Sequence, residues 1–254
     1  QTMVLGLGGA KLLDALDYEP DIYHLNEAHA VSSVFHLYNK YKSVEKIKEK
    51  MVFTTHTPEE AGNEKHDIYL LENLSFFDGI PLETVREITG IQDNTFNHSL
   101  VALRLSHKAN GVSKLHGEVS RDMWKDFSGI CPITHITNAQ NKKYWVDPWL
   151  DDAHASKDRE ELINRKKRLK TKLFEVVADQ TGKIFDPEVL TIVWARRFAD
   201  YKRPDLITRN IEKFRSLMTD TKRPIQIIFA GKPYPTDYGA IHNFDNLSHI
   251  SKEF

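Results

Sequence analysis

The stretch that decides the fold is LTIVWA (190–195), an apolar run that leads directly into the charged segment RRFADYKR (196–203). A second apolar run, IQIIFAG (225–231), follows further along the chain. Short apolar runs of this kind are typical of parallel strands that are buried on both faces. We therefore predict a strand–helix–strand–helix series, with helices over about 204–218 and from about Gly239 onward.

The same pattern occurs nearer the start of the chain. DIYHL (21–25) and MVFTT (51–55) are predicted strands, and the segment between them has helical spacing. After the second strand, THTPEE predicts a capped helix with Thr57 as N-cap and Pro58 in the first helical position. That assignment leaves His56 at the carboxyl end of the strand.

Three later segments complete the outline. Over 108–126, apolar residues recur at three- and four-residue steps, which predicts a helix entered at Asn110 and Gly111. The segment 130–150 is rich in polar and turn-forming residues, so we predict a crossing between two αβ series there. The charged stretch 153–178 predicts a solvated surface helix. The predicted apolar face of the 108–126 helix consists of Val112, Leu115, Val119 and Met123.

Composition excludes several classes of function. Lys and Arg total 35 against 36 Asp and Glu, and the net charge of −1 gives no general attraction to nucleic acid or to an acidic membrane surface. No apolar run approaches the roughly 20 residues that span a bilayer. The single cysteine, Cys131, excludes an internal disulfide and fits a reducing compartment. We expect a soluble, cytoplasmic protein that binds anions only locally.

The charged segment after LTIVWA is a candidate anion site. In an open parallel sheet, ligands bind at the carboxyl ends of the strands, which is where Arg196, Arg197 and Lys202 fall. Arg presents a planar fork and Lys a point charge to a phosphate. The residues alone leave a second interpretation equally open, a solvated strand end with salt bridges to Asp200 or Asp205.

A second candidate site is HLNEAH (24–29), which follows the first strand. Its histidine spacing lacks a third ligand nearby and differs from the zinc-binding HExxH helix, so metal is disfavoured. A polar loop that hydrogen-bonds a hydroxylated ligand and a purely structural turn both remain open. A structural role is also an alternative for His56, since a lone histidine at a strand end is more often structural than a ligand.

Taken in chain order, several motifs together resemble the α-glucan phosphorylases, the glycogen and maltodextrin phosphorylase family. They are LGLGG…YHLNEAHA, VFTTHTPEEAG, NGVSKLHGEVSRDMW, ITN, WARRFADYKR and IFAGKPYP. The resemblance implies the GT-B fold, with parts of two Rossmann-like α/β domains whose parallel sheets face a cleft. Residues 1–138 would be the C-terminal part of the first domain, and 139–254 the N-terminal part of the second.

The resemblance also implies an activity. The family transfers a terminal glucosyl unit from an α-1,4-glucan to inorganic phosphate, giving glucose 1-phosphate, with pyridoxal 5′-phosphate as cofactor. We expect the cofactor lysine and the loop that grips the cofactor phosphate to lie downstream of Phe254, so that these residues alone are inactive. A non-catalytic glucan-binding protein and a nucleotide-sugar-dependent GT-B glycosyltransferase are the alternatives, and a homo-oligomer is left open.

Individual roles follow from the same resemblance. Arg197 and Lys202 match residues that hold the substrate phosphate, while Arg196, with Lys202, matches the cofactor phosphate side. His56 matches a histidine that contacts the glucosyl unit, and Asn138 an asparagine near its 6-hydroxyl. The residues that match the floor of the cleft are Asn26, Glu27 and His29.

Two positions depart from the family pattern. Ala199 stands where a histidine is usual, and the crossing reads ITNAQNKKYW in place of TNGI.

Overall fold

The computed structural model describes residues 1–57 and 59–254. The chain divides into two compact units, Gln1–Gln140 (unit 1) and Asn141–Phe254 (unit 2). Each contains a parallel sheet with helices, so the predicted α/β class is confirmed. The assignment of 1–138 and 139–254 to the two GT-B domains stays a prediction.

Unit 1 is built on a parallel sheet and a small two-stranded antiparallel sheet. Parallel pairing joins β1 to β2, β2 to β5 and β5 to β6, which gives the order β1-β2-β5-β6. The small sheet pairs β3 with β4. Within the described ranges, the strands of unit 1 are β1 (Tyr23–Asn26), β2 (Met51–Thr54), β3 (Lys65–Asp67), β4 (Thr95–Asn97), β5 (Lys108–Gly111) and β6 (Ile133–His135).

Helices connect these strands. A π-helical turn, Val4–Gly8, opens the chain, and 3-10 turns lie at Ala28–Ala30 and Glu60–Gly62. The predicted helix between β1 and β2 is two helices, because Lys42 adopts the left-handed conformation and ends the first. The α-helices of unit 1 are α1 (Gly9–Ala15), α2 (Ser33–Tyr41), α3 (Val44–Lys50), α4 (Ile68–Asn73), α5 (Leu82–Thr89), α6 (His98–Arg104) and α7 (Lys114–Trp124).

An aromatic cluster forms the centre of the unit 1 core. The Phe35 ring lies 5.0 Å from that of Phe77, and the Phe76 ring lies 5.6 Å from that of Phe96, both edge to face. All four side chains are buried. Edge-to-face pairs add to the stabilisation from burial, so the cluster joins α2, which carries Phe35, to β4, which carries Phe96.

The prediction for α7 was wrong about the buried face and the entry. Asn110 and Gly111 belong to β5, and Ser113 caps the helix by accepting a hydrogen bond from the His116 N–H at 3.1 Å. Leu115 and Val119 are exposed, and the buried residues of α7 are His116, Gly117, Ser120 and Trp124. Small residues face the sheet because the packing is close: a Cβ on Gly117 would lie 2.9 Å from the His135 Cβ.

The prediction for the segment after β2 was also wrong. Thr57 does not cap a helix; the 3-10 turn Glu60–Gly62 has Glu59 at its N-cap, and Pro58, the predicted first helical residue, lies outside the described residues. The segment 130–150, predicted as a crossing, does contain the boundary between the two units, between Gln140 and Asn141, but its first part forms β6, which is a full member of the sheet. Alternation in a three-residue strand is too short to be recognised from the sequence.

Unit 2 pairs β7 (Leu190–Ala195) with β8 (Ile225–Ala230) in parallel, as predicted for these two runs. Its helix after β7 is shorter than predicted and begins at Ile211, where Asn210 provides the cap. A small core formed by Phe198, Ala240 and Leu247 lies beside the sheet. The described helices of unit 2 are α8 (Lys142–Trp145), α9 (Pro148–Ala155), α10 (Arg159–Thr181), the 3-10 turn Asp200–Lys202, α11 (Ile211–Met218) and α12 (Tyr238–Ile250).

Among the described helices, none has both the length and the apolar character required to cross a bilayer.

Candidate functional site

The carboxyl end of the unit 1 sheet carries a row of polar side chains, one from each strand. Asn26 is in register with Thr54, Thr54 with Asn110, and Asn110 with Thr134. Side chains at matched positions of parallel strands project from the same face of the sheet. We refer to these four residues as the polar row.

Hydrogen bonds hold three of the four side chains of the polar row. The Thr54 hydroxyl donates to Asn110 Oδ1 at 2.9 Å and lies 2.8 Å from the ring Nε2 of His24. The Thr134 hydroxyl donates to the carbonyl of Ala109 at 3.2 Å. The row therefore presents neutral donors and acceptors, and hydrogen bonds to neighbours fix the orientation of Thr54, Asn110 and Thr134.

Sequence reasoning missed Thr54, Asn110 and Thr134 as site residues. A signal was present, because each of these residues is a small polar residue that directly follows an apolar one, in Phe53-Thr54, Ala109-Asn110 and Ile133-Thr134. Strand register is needed to align those residues, and the sequence alone did not provide it.

Glu27 lies at the turn that follows β1. Its backbone has φ 60° and ψ 177°, a conformation that is essentially restricted to glycine and costs on the order of 1–3 kcal/mol in other residues. The Glu27 N–H donates to the Thr54 carbonyl at 2.9 Å, which continues the β1–β2 pairing past the strand end. The turn is therefore tied to β2 despite its strain.

Glu27 also contacts the loop that follows β2. Its Oε1 accepts hydrogen bonds from the His56 backbone N–H and, at 3.1 Å, from the Thr57 hydroxyl. The His56 imidazole is exposed. The structure thus brings together two of the residues predicted for the site.

The other predicted residues of unit 1 are more dispersed. His29 is exposed, and its Nδ1 lies 4.0 Å from Oε2 of Glu64, the residue that precedes β3. Asn138 follows β6, where its backbone N–H donates to the Val112 carbonyl at 3.1 Å. Because β1 and β6 are opposite edges of the sheet, Asn138 is separated from the Glu27 turn by three strand spacings, about 14 Å.

In unit 2, the cationic segment Arg196–Arg203 follows β7 directly. Phe198 is 2% exposed and anchors the segment in the small core, with its N–H donating to the Lys232 carbonyl at 3.1 Å. The Arg196 N–H donates to the Ala230 carbonyl at 2.9 Å. Gly231 approaches so closely that a Cβ there would lie 1.8 Å from the Arg196 carbonyl oxygen. The backbone of the segment is therefore fixed by the end of β8.

The side chains of the cationic segment are not neutralised by the neighbouring carboxylates. Asp200 Oδ1 accepts from Asn243 at 2.9 Å, and Asp205 pairs with Arg209 at 2.9 Å. Arg209, beside Asp205, holds the pKa of that carboxyl below its usual value. The interpretation in which these two aspartates neutralise the segment is therefore wrong.

The other acidic residues that the structure describes do not pair with the segment either. Across residues 1–57 and 59–254, Arg196, Arg197, Lys202 and Arg203 make no ion pair within 4.0 Å, and Arg196 and Arg197 are exposed. The Lys202 ammonium lies 4.6 Å from the centre of the Tyr201 ring, a cation–π contact that leaves its charge available. The arrangement is suited to an anion supplied from outside.

Two other kinds of chemistry find little support in the described residues. No group of three or more His, Cys, Asp or Glu side chains there is arranged to hold a metal ion. Cys131 is buried, and burial raises the pKa of its thiol to about 11. A thiol with that pKa is a poor nucleophile at neutral pH.

Parallel α/β units with polar or cationic groups at the carboxyl ends of their strands are typical of proteins that bind hydroxylated or phosphorylated ligands. Comparison with known proteins gives the family. The chain is 31% identical to the glycogen phosphorylase of Aquifex aeolicus, and the match covers 93% of this chain and 42% of that protein. It is 29% identical to the maltodextrin phosphorylase of Thermococcus litoralis, covering 93% of this chain and 34% of that protein. The chain is thus a relative of the glycogen and maltodextrin phosphorylases, as the resemblance implied.

Another relative carries no assigned activity. The chain is 44% identical to an uncharacterized protein of Methanocaldococcus jannaschii, over 96% of this chain and 46% of that protein. The chain spans less than half the length of the curated relatives it matches here. No family model matches it.

The lengths of the alignments distinguish the two phosphorylases from the Methanocaldococcus protein. The alignments with the two phosphorylases run over 285 and 292 positions, which exceeds the 254 residues of this chain, so both phosphorylases carry inserted residues here. The alignment with the Methanocaldococcus protein runs over 245 positions.

Proposed function

We infer that this chain forms part of an α-glucan phosphorylase, which transfers a terminal glucosyl unit from an α-1,4-glucan to inorganic phosphate and releases glucose 1-phosphate. The observation that carries the proposal is the cationic segment after β7, whose charges have no ion-pair partner among the described residues. Its backbone is fixed by β8 and by Phe198, so the path of the segment is set before any ligand arrives.

The segment would act on the substrate phosphate. Arg197 and Lys202 are the residues proposed to hold it, Arg through two parallel N–H donors and Lys as a point charge. Phosphorolysis develops positive charge at the sugar carbon beside a dianion. Fixed cations stabilise that arrangement without the reorganisation that water requires.

The polar end of unit 1 would bind the glucosyl unit. Sugar hydroxyls both donate and accept hydrogen bonds, and the neutral groups of the polar row offer both. His56, Asn26 and His29 are exposed at this end and are the proposed contacts, with Asn138 at the far edge of the sheet.

Pyridoxal 5′-phosphate is the proposed cofactor. Its phosphate fits the chemistry of Arg196 and Lys202, which are cationic and have no ion pair among the described residues. When bound, the cofactor supplies a second phosphate group that exchanges a proton with the substrate phosphate. The task of Arg196 and Lys202 is to offset the repulsion between the two anions.

The test is to incubate the natural full-length protein with maltodextrin and inorganic phosphate and to measure glucose 1-phosphate. We expect its release to require phosphate and to be accompanied by the absorbance of bound pyridoxal phosphate. Absence of glucose 1-phosphate from a folded protein that contains the cofactor would exclude the proposed function.

A second candidate is a glucan-binding protein without phosphorolysis. It is favoured by the alignment lengths, since the chain lacks residues that both named phosphorylases carry within the matched region. Such a protein would bind maltodextrin in the same experiment and release no glucose 1-phosphate. Binding of a nucleotide sugar instead would favour a nucleotide-sugar-dependent transferase.

A further inference from the structure

Glu27 occupies a backbone conformation that favours glycine. At φ 60° and ψ 177°, a Cβ crowds the backbone, and glycine would adopt the same conformation without strain. The chain contains 12 glycines but has glutamate at this position. Since the backbone gains nothing from a side chain here, the advantage of glutamate must lie in its carboxylate.

The carboxylate acts on the loop after β2. Glu27 Oε1 accepts from the His56 N–H and from the Thr57 hydroxyl, while the Glu27 N–H donates to the Thr54 carbonyl. Three hydrogen bonds therefore join one residue to a four-residue stretch of the neighbouring strand and loop. The two loops are held as one piece.

This bonding fixes the backbone of His56 while leaving its imidazole exposed. The Glu27 oxygen that makes these bonds is directed at the protein itself. We propose that Glu27 is a positioning residue, which sets the orientation of the His56 imidazole through the His56 backbone and does not bind the sugar itself. The proposal rests on the proposed function, in which His56 contacts the glucosyl unit.

The alternative is a direct contact between Glu27 and the sugar, as the resemblance implied. The two roles differ in their dependence on His56. A positioning residue loses its influence when the imidazole it orients is removed, whereas a direct ligand keeps its own contribution.

A double-mutant cycle in the natural full-length protein separates them. Glu27→Gly removes the carboxylate without backbone strain, so its effect cannot be attributed to misfolding at this turn. We expect it to lower kcat/KM for maltodextrin about 10-fold, because small misplacements of a binding group are costly. In the His56→Ala background we expect Glu27→Gly to change kcat/KM less than about 2-fold. Equal effects in both backgrounds would overturn the proposal.

A second measurement needs no activity. In protein labelled with ¹⁵N-histidine, Glu27→Gly should lower the protection of the His56 amide against hydrogen exchange at least about 10-fold, because that amide loses its acceptor. Unchanged His56 protection would overturn the proposal even if the wild-type protein proved to have no phosphorolytic activity. The two failures are therefore distinguishable.

The matched control is Glu60→Gln in the same loop region. Glu60 pairs with Lys65 at 3.0 Å on the exposed surface and makes no described contact with His56. We expect this variant to leave both kcat/KM and the His56 amide unchanged. Glu27→Gln, which keeps the strained backbone and one acceptor oxygen, should fall between the wild type and Glu27→Gly in both measurements.

Discussion

The carboxyl ends of the two parallel sheets differ in how their polar groups are compensated. In unit 1, Thr54 and Asn110 bond to each other, and the Glu27 carboxylate accepts from the loop after β2. In unit 2, Arg196 and Arg197 are exposed and lack ion pairs among the described residues. At the first end the buried polar groups are bonded within the protein, whereas the second end leaves its cations for an added anion.

That difference has consequences for binding. Neutral hydrogen bonds depend little on ionic strength, whereas the attraction between exposed cations and a phosphate is screened within about 8 Å at physiological salt. We expect the glucan contribution to be insensitive to salt and the phosphate contribution to weaken as salt rises.

The largest effect is expected where unit 2 holds its cations in place. Gly231→Ala puts a Cβ against the Arg196 carbonyl at 1.8 Å, a contact with backbone that no side-chain rotation relieves. We expect a loss of about 3 kcal/mol or more in the free energy of unfolding, measured by chemical denaturation. Gly182→Ala, at φ 73° but with open space around it, should cost only about 1 kcal/mol. Equal losses would show that the close approach does not determine the segment.

Lowering the pH should destabilise unit 1 while the Arg and Lys side chains of unit 2 keep their charge. His98 is fully buried beside the rings of Phe76 and Phe96, with Nε2 3.0 Å from His66 Nδ1. Burial, with His66 and His29 nearby, lowers the pKa of His98 from 6.5 to about 4.

The sign of the pH dependence follows from this shift. Between pH 6.5 and about 4, His98 binds a proton more readily in the unfolded chain than in the folded protein. The stability that this residue contributes is therefore complete above about pH 6.5 and falls as the pH drops toward 4. We expect a loss of about 3 kcal/mol at pH 4 from this residue. His98→Leu should flatten the stability profile over this range in urea unfolding. An unchanged profile would mean that His98 is not the group responsible.

Removing one cation tests the unit 2 half of the comparison directly. Arg197→Ala should lower kcat/KM for phosphate in the natural full-length protein about 100-fold, because a fixed charge aimed at the anion is lost. Arg223→Ala is the control, since Arg223 is exposed and paired with Asp220 at 3.3 Å. We expect less than about a 2-fold change for the control. Equal kinetics of the two variants would remove Arg197 from the phosphate site.

The sequence predicted β1, β2, β7 and β8 well because each is an apolar run bounded by polar turns. It failed for β6, which is only three residues long, and for the face of α7. Apolar periodicity favoured Leu115 and Val119 there, but close packing on the sheet selects small residues such as Gly117. The apolar periodicity of a sequence gives no information about the distance between a helix and the sheet on which it packs.

For the candidate site, too, one part could be predicted from the sequence and another could not. The cationic segment was recognisable from charge density alone, since four cations lie within eight residues after a strand. The absence of ion pairs in this segment could not be predicted from the sequence, because Asp200 and Asp205 are close to it in sequence but bond to Asn243 and Arg209. The polar row depends on register across four strands, and Glu27 depends on a backbone conformation that glutamate seldom adopts. Both become visible only when the chain is folded.

The smallest effect is expected in the polar row, where a substitution can refine the comparison between the carboxyl ends of the two sheets. Thr54→Val keeps the shape of the side chain but removes the hydroxyl that joins His24 Nε2 to Asn110 Oδ1. Because Thr54 is buried, its two partners regain little hydration, and we expect a loss of about 1 kcal/mol in denaturant unfolding.

Thr171→Val provides the control for this variant. The Thr171 hydroxyl donates to the Lys167 carbonyl on the exposed face of α10, so its removal should change stability by less than about 0.5 kcal/mol. If the neutral end of unit 1 and the charged end of unit 2 act independently, Thr54→Val will leave the salt dependence of phosphate binding unchanged. A changed salt dependence would mean that the two ends are coupled, since the substitution itself alters no charge.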